Sequence, residues 1–215
     1  MAFGSKRKLN TRVTLNGANG QRFRNNGGNM TLFVRYPLSV LIGLMLLVVA
    51  TSVARAEIQL HSNGIAGESA KMSKAYACMG AGGRNQTPDL QVSGLPVGTS
   101  HLAIIMDYRT DKYGKTAKGV NWNVFNIEMA DDNFRLNAGA KPLGLIGRNS
   151  KKIGYRGMCP SDQETRYYRL AVFALKAEAS VKVSGVSAKA YTIEEFQKHF
   201  YNIILGKGIL ESYFR

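Results

Sequence analysis

Cysteine occurs twice in the 215 residues, at Cys78 and Cys159, and histidine three times, at His61, His101 and His199. Two isolated cysteines without neighbouring histidines do not make a zinc site, so no metal or other cofactor is expected. The chain has no G-x-S-x-G elbow, no H-E-x-x-H and no P-loop, so the common hydrolase, metalloprotease and nucleotide-binding signatures are unfilled. Binding, rather than catalysis, is the expected activity. No nucleic-acid motif is present, aromatic residues are not interleaved with basic runs, and there is no internal repeat.

Acidic residues are absent from the first 56 positions, which hold eight of the 29 lysines and arginines. Residues 57–215 therefore carry 21 basic and 14 acidic side chains, a net charge of +7 instead of the +15 of the whole chain. Such a surface steers anionic partners without singling out nucleic acid. Residues 37–53 form the one long apolar run; it follows Arg35 and ends in Ala54-Arg55-Ala56. A basic flank, an apolar middle and an A-x-A exit predict a secretory signal, cleaved between Ala56 and Glu57. The apolar middle is short for a membrane-spanning helix, which needs about 20 apolar residues. An uncleaved anchor is the alternative, and no cysteine follows the run to take a lipid. Met30 opens a compact n-region, M-T-L-F-V-R-Y-P, so residues 1–29 read as a mis-assigned extension or a disordered leader. The expected organisation is leader 1–29, signal peptide 30–56 and one domain over 57–215, a secreted or periplasmic protein with no stable membrane span after cleavage. A domain of 159 residues is long enough for a proper core.

Periodicity within the domain is mostly that of strands. Glu57 to His61 alternates, His101 to Met106 is continuously apolar and suits a strand buried on both faces, and Val120 to Ile127 alternates again. Tyr167 to Leu175 predicts a second long strand and Ser180 to Val186 a weaker one, with Ala130 to Ser150 left as a long loop. Thr192 and Glu195 form a capping box. Ile193, Phe196, Phe200, Ile203 and Ile204 follow it at helical spacing to Gly206, and Ile209 to Tyr213 predicts one further helical turn.

Four segments stand in a specific order: G-R-N-Q-T-P-D-L (Gly83–Leu90), H-L-A-I-I-M-D (His101–Asp107), V-N-W-N-V-F-N-I (Val120–Ile127) and Y-R-G-M-C-P followed by R-Y-Y-R-L-A-V-F-A-L (Tyr155–Leu175). Together they resemble the phosphatidylethanolamine-binding protein family, in particular its bacterial Raf-kinase-inhibitor-like branch, over residues 57–215. The resemblance implies a mainly β fold, an antiparallel Greek-key β-sandwich with a C-terminal helix. It also implies a small pocket for phosphate or phosphoryl head groups, whose family wall holds an Asp-Pro-Asp motif, a histidine before an aromatic residue and a His-x-Tyr pair.

On those positions this sequence places Asp107 without the following proline, Asn121 before Trp122, Arg166 in place of the second histidine, and Tyr168. Gly157, Cys159 and Pro160 keep the family loop, with Met158 for a usual proline. The implied anion-binding set is Asp107, Asn121, Arg166 and Tyr168, with Trp122, Gly157 and Pro160 as pocket wall. A guanidinium offers a planar fork of donors to an oxyanion, and the Asn amide and Tyr hydroxyl add donors. The expected partner is a small anionic ligand. The alternative is a module that modulates a protein partner through surface loops, its pocket closed by an Asp107–Arg166 ion pair. In an exported protein the two cysteines imply a Cys78–Cys159 disulfide flanking the pocket mouth, with two free thiols as the alternative. Asn85 and Asn126 are read as structural, and the Lys151-Lys152 pair as a solvated face.

Overall fold

A computed structural model describes residues 57–65, 70–161, 164–185 and 187–215. The readings on residues 1–56, among them Met30 and the Ala56 side of the expected cleavage point, lie outside the described residues. The strands are β1 (Gln59–His61), β2 (Ala70–Lys71), β3 (Leu90–Ser93), β4 (His101–Arg109), β5 (Gly119–Glu128), β6 (Phe134–Leu136), β7 (Leu145–Ile146), β8 (Arg166–Leu175), β9 (Val183–Ser184), β10 (Ser187–Ala188) and β11 (Ile204–Phe214). The helix α1 spans Ile193–His199, between β10 and β11.

A six-stranded sheet, in the order β2-β11-β8-β4-β5-β7, is the backbone of the fold. Its pairings are antiparallel except the short β2–β11 contact, which is parallel. One face carries Leu102, Ile104, Met106, Trp122, Val124, Leu170 and Val172, which pack with Leu90, Val92 and Leu136 of a three-stranded sheet, β1-β3-β6. This is the sandwich core. The two layers come close where β1 crosses β11. A Cβ on Gly208 would stand 2.9 Å from the Ile58 carbonyl oxygen, so a side chain is excluded there.

The opposite face carries Ala103, Ile105, Phe125, Ala171 and Phe173, and is covered by Phe196 and Phe200 of the helical segment and by Tyr191. Phe125 stacks on Phe196 with ring centroids 5.6 Å apart. Burial on both faces explains why β4 and β8 read as unbroken apolar runs rather than alternating ones. The β5 alternation is interrupted at Asn126 (φ 55°), where an irregular register between β4 and β5 returns Ile127 to the sandwich face. Asn126 is structural as expected, since its amide exchanges hydrogen bonds with the backbone of Ala179.

The C-terminal reading needs correction. The capping box is present, with Thr192 accepting from Glu195 N and Glu195 accepting from Thr192 N. The helix, however, ends at His199 instead of reaching Gly206, and Ile209 to Tyr213 belongs to an eleven-residue strand rather than a helical turn. Leu210, Ser212 and Phe214 share an inward face with Gly208, so the buried positions follow period two. Pairing along the whole of β8 outweighs the helical spacing of Ile203 and Ile204. The expected strand over Ser180 to Val186 is reduced to the two-residue β9, and the 130–150 loop contains β6 and β7.

One buried ionic cluster ties the sheet to α1. Asp107 of β4 lies opposite Arg169 of β8, and Arg169 donates through Nε (2.8 Å) and Nη2 (2.7 Å) to the two carboxylate oxygens of Asp107. Arg169 also donates to both oxygens of Glu194, and Asp107 Oδ2 accepts from Ile193 N at 3.0 Å. Burial opposes the charge on Arg169 and is outweighed by the two carboxylates, which hold it more firmly protonated. For Asp107 burial dominates and pushes its pKa upward, against the pull of Arg169 and the Ile193 amide. The two shifts lean opposite ways for one pair; the fork geometry is that of an ionised pair, and we read it so. Arg169→Met leaves Asp107 buried and uncompensated, and should cost about 3–5 kcal/mol in urea unfolding. The pair replacement Asp107→Leu/Arg169→Met should recover most of that loss.

Candidate oxyanion site at the β4–β8 edge

Register decides which side chains meet. Tyr108 lies opposite Tyr168, one step from the Asp107–Arg169 pair, so the two tyrosines point to the sandwich face while Asp107 points toward α1. The four side chains expected to form one wall therefore divide. Arg166 and Tyr168 share the sandwich face, and Asp107 is committed to Arg169 and Ile193 on the other. An Asp107–Arg166 ion pair is likewise corrected: the acidic neighbour of Arg166 is the exposed Glu164, at 3.7 Å.

On the sandwich face, the Arg166 guanidinium carbon lies 5.2 Å from the Tyr108 ring centroid, and the Tyr108 and Tyr168 centroids are 5.9 Å apart. Stacking on an aromatic face is a favoured environment for guanidinium. Arg166 Nη2 lies 3.4 Å from Ser161 Oγ and 3.7 Å from Glu164 Oε2, while Arg166 Nε is buried and has no hydrogen-bond partner among the described residues. The Tyr168 hydroxyl also lacks a partner among the described residues. Its pKa is pushed upward, chiefly by burial, against the opposing fields of Arg166 and Arg156. A phenol that stays protonated is a hydrogen-bond donor.

Arg156 reaches this neighbourhood from the loop after β7. Its backbone pairs with β5: Arg156 N donates to Asn121 O (2.9 Å), and Asn121 Nδ2 donates to Arg156 O (2.8 Å). That second bond fixes which end of the Asn121 amide is the donor, and leaves Asn121 Oδ1 buried without a partner. Tyr108 and Arg156 were not singled out in the sequence. The strand period carries the signal for Tyr108, since it alternates with Asp107; Arg156 stands directly before the Gly157 loop.

Trp122 is buried, with its ring edge-on to Tyr155 at 5.7 Å, and is a core residue first. Gly157 holds the loop in place: a Cβ there would stand 2.5 Å from Tyr76 O, and its N–H donates to Asn85 Oδ1 at 2.7 Å. Asn85 (φ 54°) thus shapes a turn, as read, and also anchors this loop. Pro160 lines a different cleft, with Lys71, Lys74 and Phe214. Cys78 and Cys159 are joined as a disulfide, and Cys78 N donates to Met158 O at 3.0 Å.

A second buried carboxylate braces the facing loop. Asp89 accepts from Tyr76 Oη, from Ser62 Oγ (3.1 Å) and from the backbone and side-chain nitrogens of Asn63 (2.9 Å each). Burial works to raise its pKa, but these donors outweigh burial and hold it below the usual aspartate value. Tyr155 Oη donates in turn to Tyr76 O at 2.7 Å, joining this cluster to the Arg156 loop.

Over residues 63–215 the sequence matches the family model described as phosphatidylethanolamine-binding protein. The Escherichia coli K12 protein YbcL is 30% identical over 150 residues, 65% of this chain and 80% of YbcL. A relative from Methanothermobacter thermautotrophicus is 28% identical over 150 residues, 67% of this chain and 91% of its own. The crystal structure of YbcL, described as a new member of the mammalian PEBP family, superposes with a TM-score of 0.58 at 24% identity, covering 74% of this chain and 99% of YbcL. A Chlamydia trachomatis phosphatidylethanolamine-binding protein homologue gives a TM-score of 0.57 at 22% identity, covering 74% of this chain and 98% of the other.

Two outcomes are expected from these contacts. The lowered pKa of Asp89 gives stability that is fully present above the unfolded aspartate pKa, about 3.9, and is lost as pH falls through the folded value. Asp89→Asn should therefore lower the free energy of urea unfolding at neutral pH by about 1–3 kcal/mol and flatten its decline in acid. Replacing both cysteines by serine should cost roughly 4 kcal/mol, since the bond closes a loop of 81 residues. Thiol titration of the unreduced, denatured protein should find none; two reactive thiols would exclude the bond.

Proposed function

Because this chain belongs to the phosphatidylethanolamine-binding protein family, we propose that it is an exported protein that binds a small oxyanion, of the phosphate or phosphoryl class, without transforming it. The observation that carries the reading is Arg166: a guanidinium laid over Tyr108, with a buried Nε that no acceptor among the described residues satisfies. Leaving a buried charged donor unpaired costs free energy that an oxyanion oxygen would recover. Arg156 adds a second positive field at the same phenol, and Tyr168 supplies a neutral donor. With Asp107 on the far face, the carboxylate beside Arg166 among the described residues is the exposed Glu164, at 3.7 Å. Asn121 Oδ1 is an acceptor, so it selects a ligand that also carries a hydroxyl or ammonium hydrogen, such as a monoprotonated phosphate.

Export is supported by the basic-apolar-A-x-A leader and by the Cys78–Cys159 bond, which belongs to an oxidising compartment.

Inorganic phosphate and phosphoethanolamine titrated into residues 57–215 should give saturable heat. Arg166→Ala should weaken binding by roughly tenfold or more, the loss of ~1.5–3 kcal/mol of charge-assisted hydrogen bonding. Asp107 lies outside the proposed contacts, so Asp107→Asn should leave affinity unchanged in protein that remains folded. Wild-type protein that gives neither heat nor shifted amide resonances would end this reading.

A further inference from the structure

A cleft of about 650 Å³ opens on the other side of the Trp122–Tyr155 pair, bounded by the 85–87, 139–142 and 153–155 segments. Nothing in the oxyanion site uses it. Its volume is in the range of small-molecule sites, which run from roughly 300 to 1,000 Å³. The floor is Trp122 and Tyr155, and the walls are Pro142, Ile146 and Ile153. Ile153 is 44% exposed and extends the apolar lining to the mouth.

The polar groups at this cleft are few and of one kind. Its lining contains no carboxylate and a single cation, Lys141, whose ammonium makes no hydrogen bond or ion pair among the described residues. Thr87 Oγ1 is used internally, donating to Ala140 O at 2.8 Å. Asn85 spends its Oδ1 on Gly157 N, leaving its amide hydrogens as donors without a protein acceptor. Gln86 likewise spends its Oε1, on Arg84, and keeps its amide hydrogens. An apolar basin with one ammonium and two amide donors at its edge is complementary to an organic anion with a flat apolar body.

We infer that this cleft is a second binding site, for a small aromatic carboxylate whose ring lies over the Trp122–Tyr155 floor and whose carboxylate meets Lys141. The two sites are separable. The oxyanion site is polar, rests on Arg166 and accepts a compact ion; the cleft is largely apolar and rests on Lys141 and Ile153. Arg166, Tyr108 and Tyr168 are absent from the lining of the cleft.

Trp122 is the single tryptophan, so the indole N–H resonance of the folded protein is a site-specific reporter of this cleft. The test adds 2-naphthoate, up to a few millimolar, to isotopically labelled residues 57–215. The indole cross-peak is expected to move saturably, and naphthalen-2-ylmethylammonium, the cation of similar shape, to leave it in place. Lys141→Glu should raise the dissociation constant at least tenfold, and Ile153→Asp by a comparable factor; both residues are exposed, so folding is retained. Arg166→Ala should leave naphthoate binding intact, which separates failure here from failure of the phosphate reading. An unmoved indole signal, equal binding of the cation, or unchanged affinity in Lys141→Glu would each overturn the assignment.

Discussion

The fork of Arg169 is the interaction on which the remaining geometry depends. Its guanidinium spans β8 to β4 through Asp107 and reaches α1 through Glu194, while Asp107 accepts the first helical amide. Three elements distant in sequence are thus indexed to one another by a single cation. Arg109 and Glu211 extend the same face with a further pair at 3.0 Å. Because the cluster fixes β4 against β8 to the residue, it also fixes which side chains appear on the reverse of the sheet. Tyr108 meets Tyr168 because Asp107 meets Arg169.

That coupling separates two electrostatic environments across the thickness of one sheet. On the helix side, a buried arginine is matched by two carboxylates and the charges are satisfied within the protein. On the sandwich side, Arg166 and Arg156 face phenols, and the acidic group beside Arg166 among the described residues is a solvent-exposed glutamate. Charge on the helix side is matched in the interior, whereas on the sandwich side the counter-charge described for Arg166 lies in solvent. A one-residue slip between β4 and β8 would exchange the two roles, since it would carry each of these side chains to the other face.

Much of this was legible in the sequence. The apolar runs of β4 and β8, the alternation of β5 and the Thr192–Glu195 cap follow from local pattern, and the four ordered segments point to the family. Two things were not. The end of the chain carries apolar residues at spacings that satisfy a helix over a few positions; that Ile204–Phe214 is a strand is decided by ten residue pairs with β8, a non-local fact. The wall of the site also misled, because residue types matched onto a family pattern carry no face. Asp107 and Tyr168 lie in adjacent paired strands but differ by one step of register, and the pleat sends them apart. Arg169, three positions from Arg166, the strand residue expected to meet the anion, holds the carboxylate instead.

The Cys78–Cys159 bond has a consequence for how the domain matures. With only two cysteines in the chain, there is one intramolecular pairing available and no rearrangement among alternatives. The two sulfurs are brought together by the Cys78–Met158 backbone contact and the close approach of Gly157 to the Tyr76–Cys78 segment, with β3 to β7 between them in sequence. Oxidation within one chain therefore has a single outcome, and no shuffling of wrong bridges is needed.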